Sequence, residues 1–128
     1  MSKFKTQGFS RTFKNARKGL RIVLKSERNI RIHFMVGTII ILFALVLGLS
    51  ALKICMLLFA IALVIVTEML NSAIEFALDA VFHNKFSTLV GMAKDISAGA
   101  VMFATFVAIV IGIIIFIPAI VVYVMAFV

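Results

Sequence analysis

Thr67-Glu68-Met69-Leu70-Asn71-Ser72-Ala73-Ile74-Glu75-Phe76-Ala77-Leu78-Asp79 follows directly on the apolar run Ile54 to Val66. At 1.5 Å per residue that run covers only about two-thirds of a hydrocarbon core, so the helix must continue through the polar stretch to leave a bilayer. Glu68, Glu75 and Asp79 are thereby carried to the exit. With Glu68 set at zero, Asn71, Ser72, Glu75 and Asp79 fall at roughly −60°, +40°, −20° and +20°, one stripe within an arc of about 100°. Ionisable groups in or beside a bilayer are costly and mark functional sites. A polar seam of Asn and Ser gluing two helices is the plainer reading. Three acids on that seam would repel one another unless a cation or Lys94 stood between them. Mg²⁺ suits such a set, because it takes carboxylate oxygens and bridges them to substrate phosphates.

The rest of the chain fits that setting. Of 128 residues 64% are hydrophobic and 14% charged, and the mean hydropathy is +1.23, which excludes an ordinary soluble domain. At about 20 residues per span there is room for three spanning helices and one flanking segment, hence an all-α membrane protein of a single domain, 1–128. Cys55 is the sole cysteine and lies in an apolar run, which rules out a disulfide framework or a CxxC metal site.

Met1 to Arg31 holds ten of the 13 Lys and Arg, interleaved with Phe4, Phe9, Phe13, Leu20, Ile22, Val23 and Leu24. It is too long and basic for a cleaved signal peptide. The pattern predicts an amphipathic helix on the inner membrane surface, capped near Ser10 or Thr12, with anionic lipid rather than nucleic acid as its partner. Most of these bases need do no more than set topology.

The surface segment 1–31 is followed by spans at about 32–50, 52–82 and 92–127, the first with its apolar body from His33 to Leu49. Ser50 to Lys53 reads as the turn after it, and His83-Asn84-Lys85-Phe86-Ser87-Thr88 as the second connection. Pro118 is expected to kink or end the last helix. The basic N-terminus places itself in the cytoplasm, which brings Glu27, Asp79, Lys94 and Asp95 to that same surface. In Gly91-Met92-Ala93-Lys94-Asp95-Ile96-Ser97-Ala98-Gly99-Ala100, Lys94 can neutralise phosphate, and the small residues predict close approach of neighbouring helices.

No GxxxxGK[ST] phosphate loop, HRD, DFG, GxGxxG or HExxH occurs. The chain instead resembles the bacterial membrane lipid kinases, prokaryotic diacylglycerol kinase and undecaprenol kinase. The motifs that carry the resemblance are Glu68-x-x-Asn71-Ser72-Ala73-Ile74-Glu75-x-x-x-Asp79 and, 14 residues on, Ala93-Lys94-Asp95-x-x-Ala98-Gly99-Ala100-Val101. Lys18-Gly19-Leu20-Arg21 and Glu27 extend it, so that it runs from about Gly8 to Val101.

The resemblance implies a homotrimer in the bacterial plasma membrane, with sites shared between subunits, passing the γ-phosphate of MgATP to a lipid hydroxyl. By matched position, Glu68 would be the general base beside the lipid hydroxyl, and Glu27 and Glu75 would hold Mg²⁺. Asn71 and Lys94 would contact phosphates, Asp79 and Asp95 would place the nucleotide, and Arg11 would lie near the lipid headgroup. Such a division suits phosphoryl transfer, which depends on positioning and charge neutralisation.

The sequence departs from the Gram-negative diacylglycerol kinase pattern in having no Trp, His33 at a position where that type tends to have an acid, and a last span extended past Pro118. These features resemble the Gram-positive-like branch, for which undecaprenol is the expected acceptor and diacylglycerol the alternative. A small proton-coupled multidrug transporter would use an intramembrane Glu68, but it leaves Asn71, Glu75, Asp79, Lys94 and Asp95 idle. His33 and His83 are two separated histidines and make no transition-metal site.

Overall fold

The computed structural model describes residues 8–83 and 87–126, which form four α-helices and, among the described residues, no strand. Lys3, Phe4, Lys5, the Asn84-Lys85-Phe86 part of the second connection and Val128 lie outside the described residues. Helix α1 (Phe9–Ser26) is followed by α2 (Arg28–Val46), α3 (Ala51–Phe82) and α4 (Thr88–Met125). The last three are each long and apolar enough to cross a membrane. They alternate in direction, so the start of α2, the end of α3 and the start of α4 gather at the α1 end of the bundle. At 32 and 38 residues, α3 and α4 run about 48 and 57 Å, well beyond a hydrocarbon core of about 30 Å.

Helix α1 is amphipathic by position. Phe9, Phe13, Ala16, Leu20, Val23 and Leu24 share an arc of about 100°, and Arg11, Lys14, Arg17, Lys18, Arg21 and Lys25 fill the arc beside it. Neither Ser10 nor Thr12 caps it. The helix opens one turn earlier because Phe9 belongs to the apolar arc, and the Gly8 carbonyl accepts the Arg11 and Thr12 amides at 2.9 and 3.2 Å.

Glu27 is the one non-helical residue between α1 and α2 (φ −100°, ψ 114°), which places the start of α2 at Arg28 rather than near residue 32. The Arg31 guanidinium reaches back to the carbonyls of Leu24 and Lys25 at 3.1 and 3.0 Å, satisfying acceptors that the end of α1 would otherwise leave open. Val23 and Ile30 are buried at this elbow, Ile30 completely.

The first span ends at Val46, short of the expected 50. Gly48 takes φ +62° and its amide bonds the Leu45 carbonyl at 3.0 Å, while Leu49 bonds Ala44 at 3.1 Å. That pair of bonds closes a helix through a left-handed residue, where glycine carries no steric cost. The turn thus falls at residues 47–50, and Lys53 lies inside α3. Helix α4 begins at Thr88, one turn before the expected 92. Pro118 does not end it, since the helix continues to Met125. Pro118 forfeits one intrahelical bond, whereas ending the helix there would leave several backbone groups unmet in lipid.

Helix α2 meets α3 tightly at Gly37, where an added Cβ would lie 2.7 Å from Ile61 Cγ2. Within the single chain Gly91 and Gly99 have nothing within 4 Å of such a Cβ, whereas Ser97 of the same small-residue series lies against Asn71 of α3. Ala44, Leu57 and Ile115 form an apolar core at the end away from α1, and Phe43 stacks on Phe116 with centroids 5.4 Å apart. On α3 the buried positions Leu57, Ala60, Val64, Glu68 and Ser72 advance by threes and fours, and α4 buries Ser97, Ala104 and Ile115, Ile115 against Leu57 and Ser97 against Asn71. The α3–α4 seam therefore starts apolar and turns polar toward the α1 end.

Candidate functional site

The polar end of that seam holds two linked groups. In the first, the Ser97 hydroxyl donates to Asn71 Oδ1 at 2.6 Å, and Asn71 Nδ2 donates to Glu75 Oε1 at 3.1 Å. The second is the ion pair of Lys94 Nζ with Asp79 Oδ1, also 2.6 Å, with the Lys94 and Asp79 side chains 34% and 42% exposed. The stripe on α3 and the basic face of α4 thus meet as their helical positions require: Asn71, Glu75 and Asp79 are one turn apart, and so are Lys94 and Ser97.

Glu68 lies deepest and is only 5% exposed. Its backbone carbonyl accepts the Ser72 hydroxyl at 3.1 Å, which turns Ser72 inward on its own helix and away from the polar groups. Among the described residues the Glu68 carboxylate has neither a hydrogen-bond donor nor a basic partner, and no buried side-chain polar atom is left wholly enclosed without one. A buried carboxylate that keeps an open approach can receive a proton from a bound hydroxyl.

The structure does not draw every expected residue into this cluster. Glu27 is half-buried at the α1–α2 elbow, held there by the Arg31 clamp, and Arg11 is exposed on α1. Asp95 is exposed on α4 beside Lys94, with no ion pair among the described residues. Ser97 was counted in the sequence only as a small residue. Its spacing of three from Lys94, on the face toward Asn71, is the signal that could have marked it.

The donors available to a cation are carboxylate oxygens. Among the described residues no three of His, Cys, Asp and Glu converge, so the chain by itself forms no closed metal cage. Carboxylate oxygens are the donor type that a hard divalent ion takes, with substrate phosphates and water completing its shell.

These features define a small three-span helical membrane protein with a carboxylate and lysine cluster at one end of the bundle. A family profile described as Prokaryotic diacylglycerol kinase matches residues 14–116, and the chain belongs to that family. It is 34% identical over 101 residues to a diacylglycerol kinase of Synechocystis sp., covering 79% of this chain and 58% of that relative's length. It is 29% identical over 110 residues to the undecaprenol kinase of Bacillus subtilis, covering 86% of this chain and 89% of the relative. A diacylglycerol kinase of Escherichia coli is 33% identical over 108 residues, covering 82% and 88%.

Proposed function

We propose that the protein is a membrane lipid kinase that transfers the γ-phosphate of ATP to the hydroxyl of undecaprenol, giving undecaprenyl phosphate. The observation that carries this is the polar end of the α3–α4 seam, where Glu68 is buried at lipid depth and Asn71, Glu75, Asp79 and Lys94 follow in order toward water. A lipid hydroxyl reaches such a seam from one side and a nucleotide from the other.

In the transfer, Glu68 takes the proton of the lipid hydroxyl as that oxygen forms its bond to the γ-phosphorus. The bond from γ-phosphorus to the bridging oxygen breaks, and ADP leaves with the electron pair. Lys94 and the Asn71 amide neutralise and orient the phosphates, Asp79 and Asp95 place the nucleotide, and Arg11 on α1 lies toward the lipid headgroup. Glu75 and Glu27 would hold Mg²⁺, whose charge stabilises the phosphate oxygens through the transition state. The elbow sets Glu27 apart from Glu75 in sequence and element, and a homotrimer with shared sites would supply the remaining groups from a neighbouring subunit. Positive charge on α1 supports an N-terminus and site in the cytoplasm of a bacterial cell.

The lack of Trp, the histidine at His33 and the long last helix favour undecaprenol. Diacylglycerol is the second reading, favoured by the two diacylglycerol kinases at 33% and 34% identity. Transfer of labelled phosphate from MgATP to each lipid in mixed micelles, with Glu68→Gln as blank, separates them. Labelling of undecaprenol in preference supports the proposal, labelling of diacylglycerol in preference replaces the acceptor, and labelling of neither sinks the kinase reading.

A further inference from the structure

The Asn71 carboxamide is held at both ends, and its two holders come from different helices: Glu75 one turn on along α3, and Ser97 across the seam on α4. Only one orientation of the amide is compatible with both. Were it flipped, the carbonyl oxygen would face the Glu75 carboxylate, acceptor against acceptor. With the nitrogen toward Glu75, the carbonyl must find a donor, and the buried Ser97 hydroxyl supplies it at 2.6 Å.

That hydroxyl has a single proton and two acceptors in reach, Asn71 Oδ1 at 2.6 Å and the Lys94 carbonyl at 2.9 Å. The shorter contact goes across the seam. The Lys94 carbonyl can still be served within its own helix, whereas among the described residues nothing else donates to Asn71 Oδ1. Asn71 Nδ2 carries a second hydrogen beyond the one given to Glu75; the α3–α4 cleft of about 440 Å³ beside it is apolar, lined mainly by Leu70, Ile74, Ala93, Ile96 and Ala100, so a phosphate would meet that hydrogen on the Glu75 and Lys94 side rather than in the cleft.

We infer that Ser97 is a positioning residue for phosphoryl transfer: by donating to Asn71 Oδ1 it fixes the carboxamide so that one N–H holds Glu75 and the other is presented to a phosphate oxygen. The inference rests on the reading that Asn71 contacts the nucleotide. It also places Ser97 one turn from Lys94, so a single seam contact sets the register between the amide on α3 and the ammonium on α4.

The test compares Ser97→Ala and Ser97→Thr with the parent protein in detergent micelles, with MgATP and undecaprenol as substrates. Ser97→Ala should raise KM for MgATP about tenfold with KM for the lipid unchanged, and Ser97→Thr, which keeps the hydroxyl, should return to within about twofold of the parent. Once Asn71→Ala is in place, adding Ser97→Ala should raise that KM no further. In protein labelled with ¹⁵N-asparagine, the Asn71 side-chain amide signals, assigned by their loss in Asn71→Ala, should move in Ser97→Ala and stay in Ser97→Thr. A lower melting temperature in Ser97→Ala with unchanged KM and unmoved amide signals would show a helix-to-helix bond and nothing more, and would overturn the inference. If the parent protein transfers phosphate to diacylglycerol instead, the same KM comparison is made with that lipid; if it transfers phosphate to neither, the kinase reading fails, and the amide signals alone decide whether Ser97 orients Asn71.

Discussion

Lys94 Nζ and Asp79 Oδ1 stand 2.6 Å apart across the α3–α4 seam, so the only ion pair among the described residues lies where phosphates are proposed to bind. An arriving phosphate competes with Asp79 for Lys94. The pair is too exposed to matter much for stability, since pairs of this kind contribute roughly 0.2–1 kcal/mol. Lys94→Ala should cut turnover by about 10²–10³-fold, the scale for losing one donor to developing charge. Asp79→Asn should cost less, because it frees Lys94 rather than removing it. Steady-state kinetics with melting curves on both variants would check this, and equal losses would mean that Asp79 holds the nucleotide as firmly as Lys94 does.

Glu68→Gln should lower turnover by about 10²–10⁴-fold while leaving the fold intact, because the amide fits the same buried place and cannot take the proton. Circular dichroism and the lipid-kinase assay would be read together. Near-normal turnover removes Glu68 as the base.

Glu75→Gln and Glu27→Gln should each move the Mg²⁺ midpoint of activity upward by about tenfold or more, with the lipid KM unaltered. A Mg²⁺ titration at fixed ATP is sufficient. If Glu27→Gln leaves the midpoint in place while Glu75→Gln shifts it, the elbow acid belongs to the positioning of α1 and not to the cation.

Gly37→Ala tests the packing independently of the chemistry. The new Cβ would meet Ile61 Cγ2 at 2.7 Å, and a β-branched side chain has little freedom to turn aside. The expected cost is about 1–3 kcal/mol, visible as a lower melting temperature in detergent. Gly99→Ala, where a Cβ meets nothing within 4 Å in the isolated chain, should be silent unless a second chain packs there. Native mass spectrometry of the parent and Gly99→Ala then bears on assembly, with a trimer expected for the parent and a fully active monomer counting against shared sites.

The α3 stripe was legible because helical period and bilayer thickness together leave Glu68 to Asp79 no other arrangement: a span too short in apolar residues must carry its polar ones on one continuous helix. The two helix ends at Glu27 and Gly48 were less so. Glu27 breaks the chain with help from Arg31, four residues on, and Gly48 stands in an apolar run that differs little from the helix before it. Ser97 was hidden for another reason. In a string of small residues a hydroxyl and a methyl look alike, and only the distance to Asn71 separates a partner from a spacer. Acceptor choice depends on the shape of a lipid-facing groove, to which neither spacing nor periodicity answers.

The elbow at Glu27 is one residue wide, with helix on both sides. Each residue advances a helix by about 100°, so one residue inserted or removed between Arg21 and Arg31 would roll the aromatic face of α1 by more than a quarter turn against the spans. The apolar arc that holds Phe9 and Phe13 would be turned about 100° from its present bearing. Chain length across this joint is thus a phase setting: substitutions there alter contacts, whereas a deletion changes which side of the surface helix meets the bilayer.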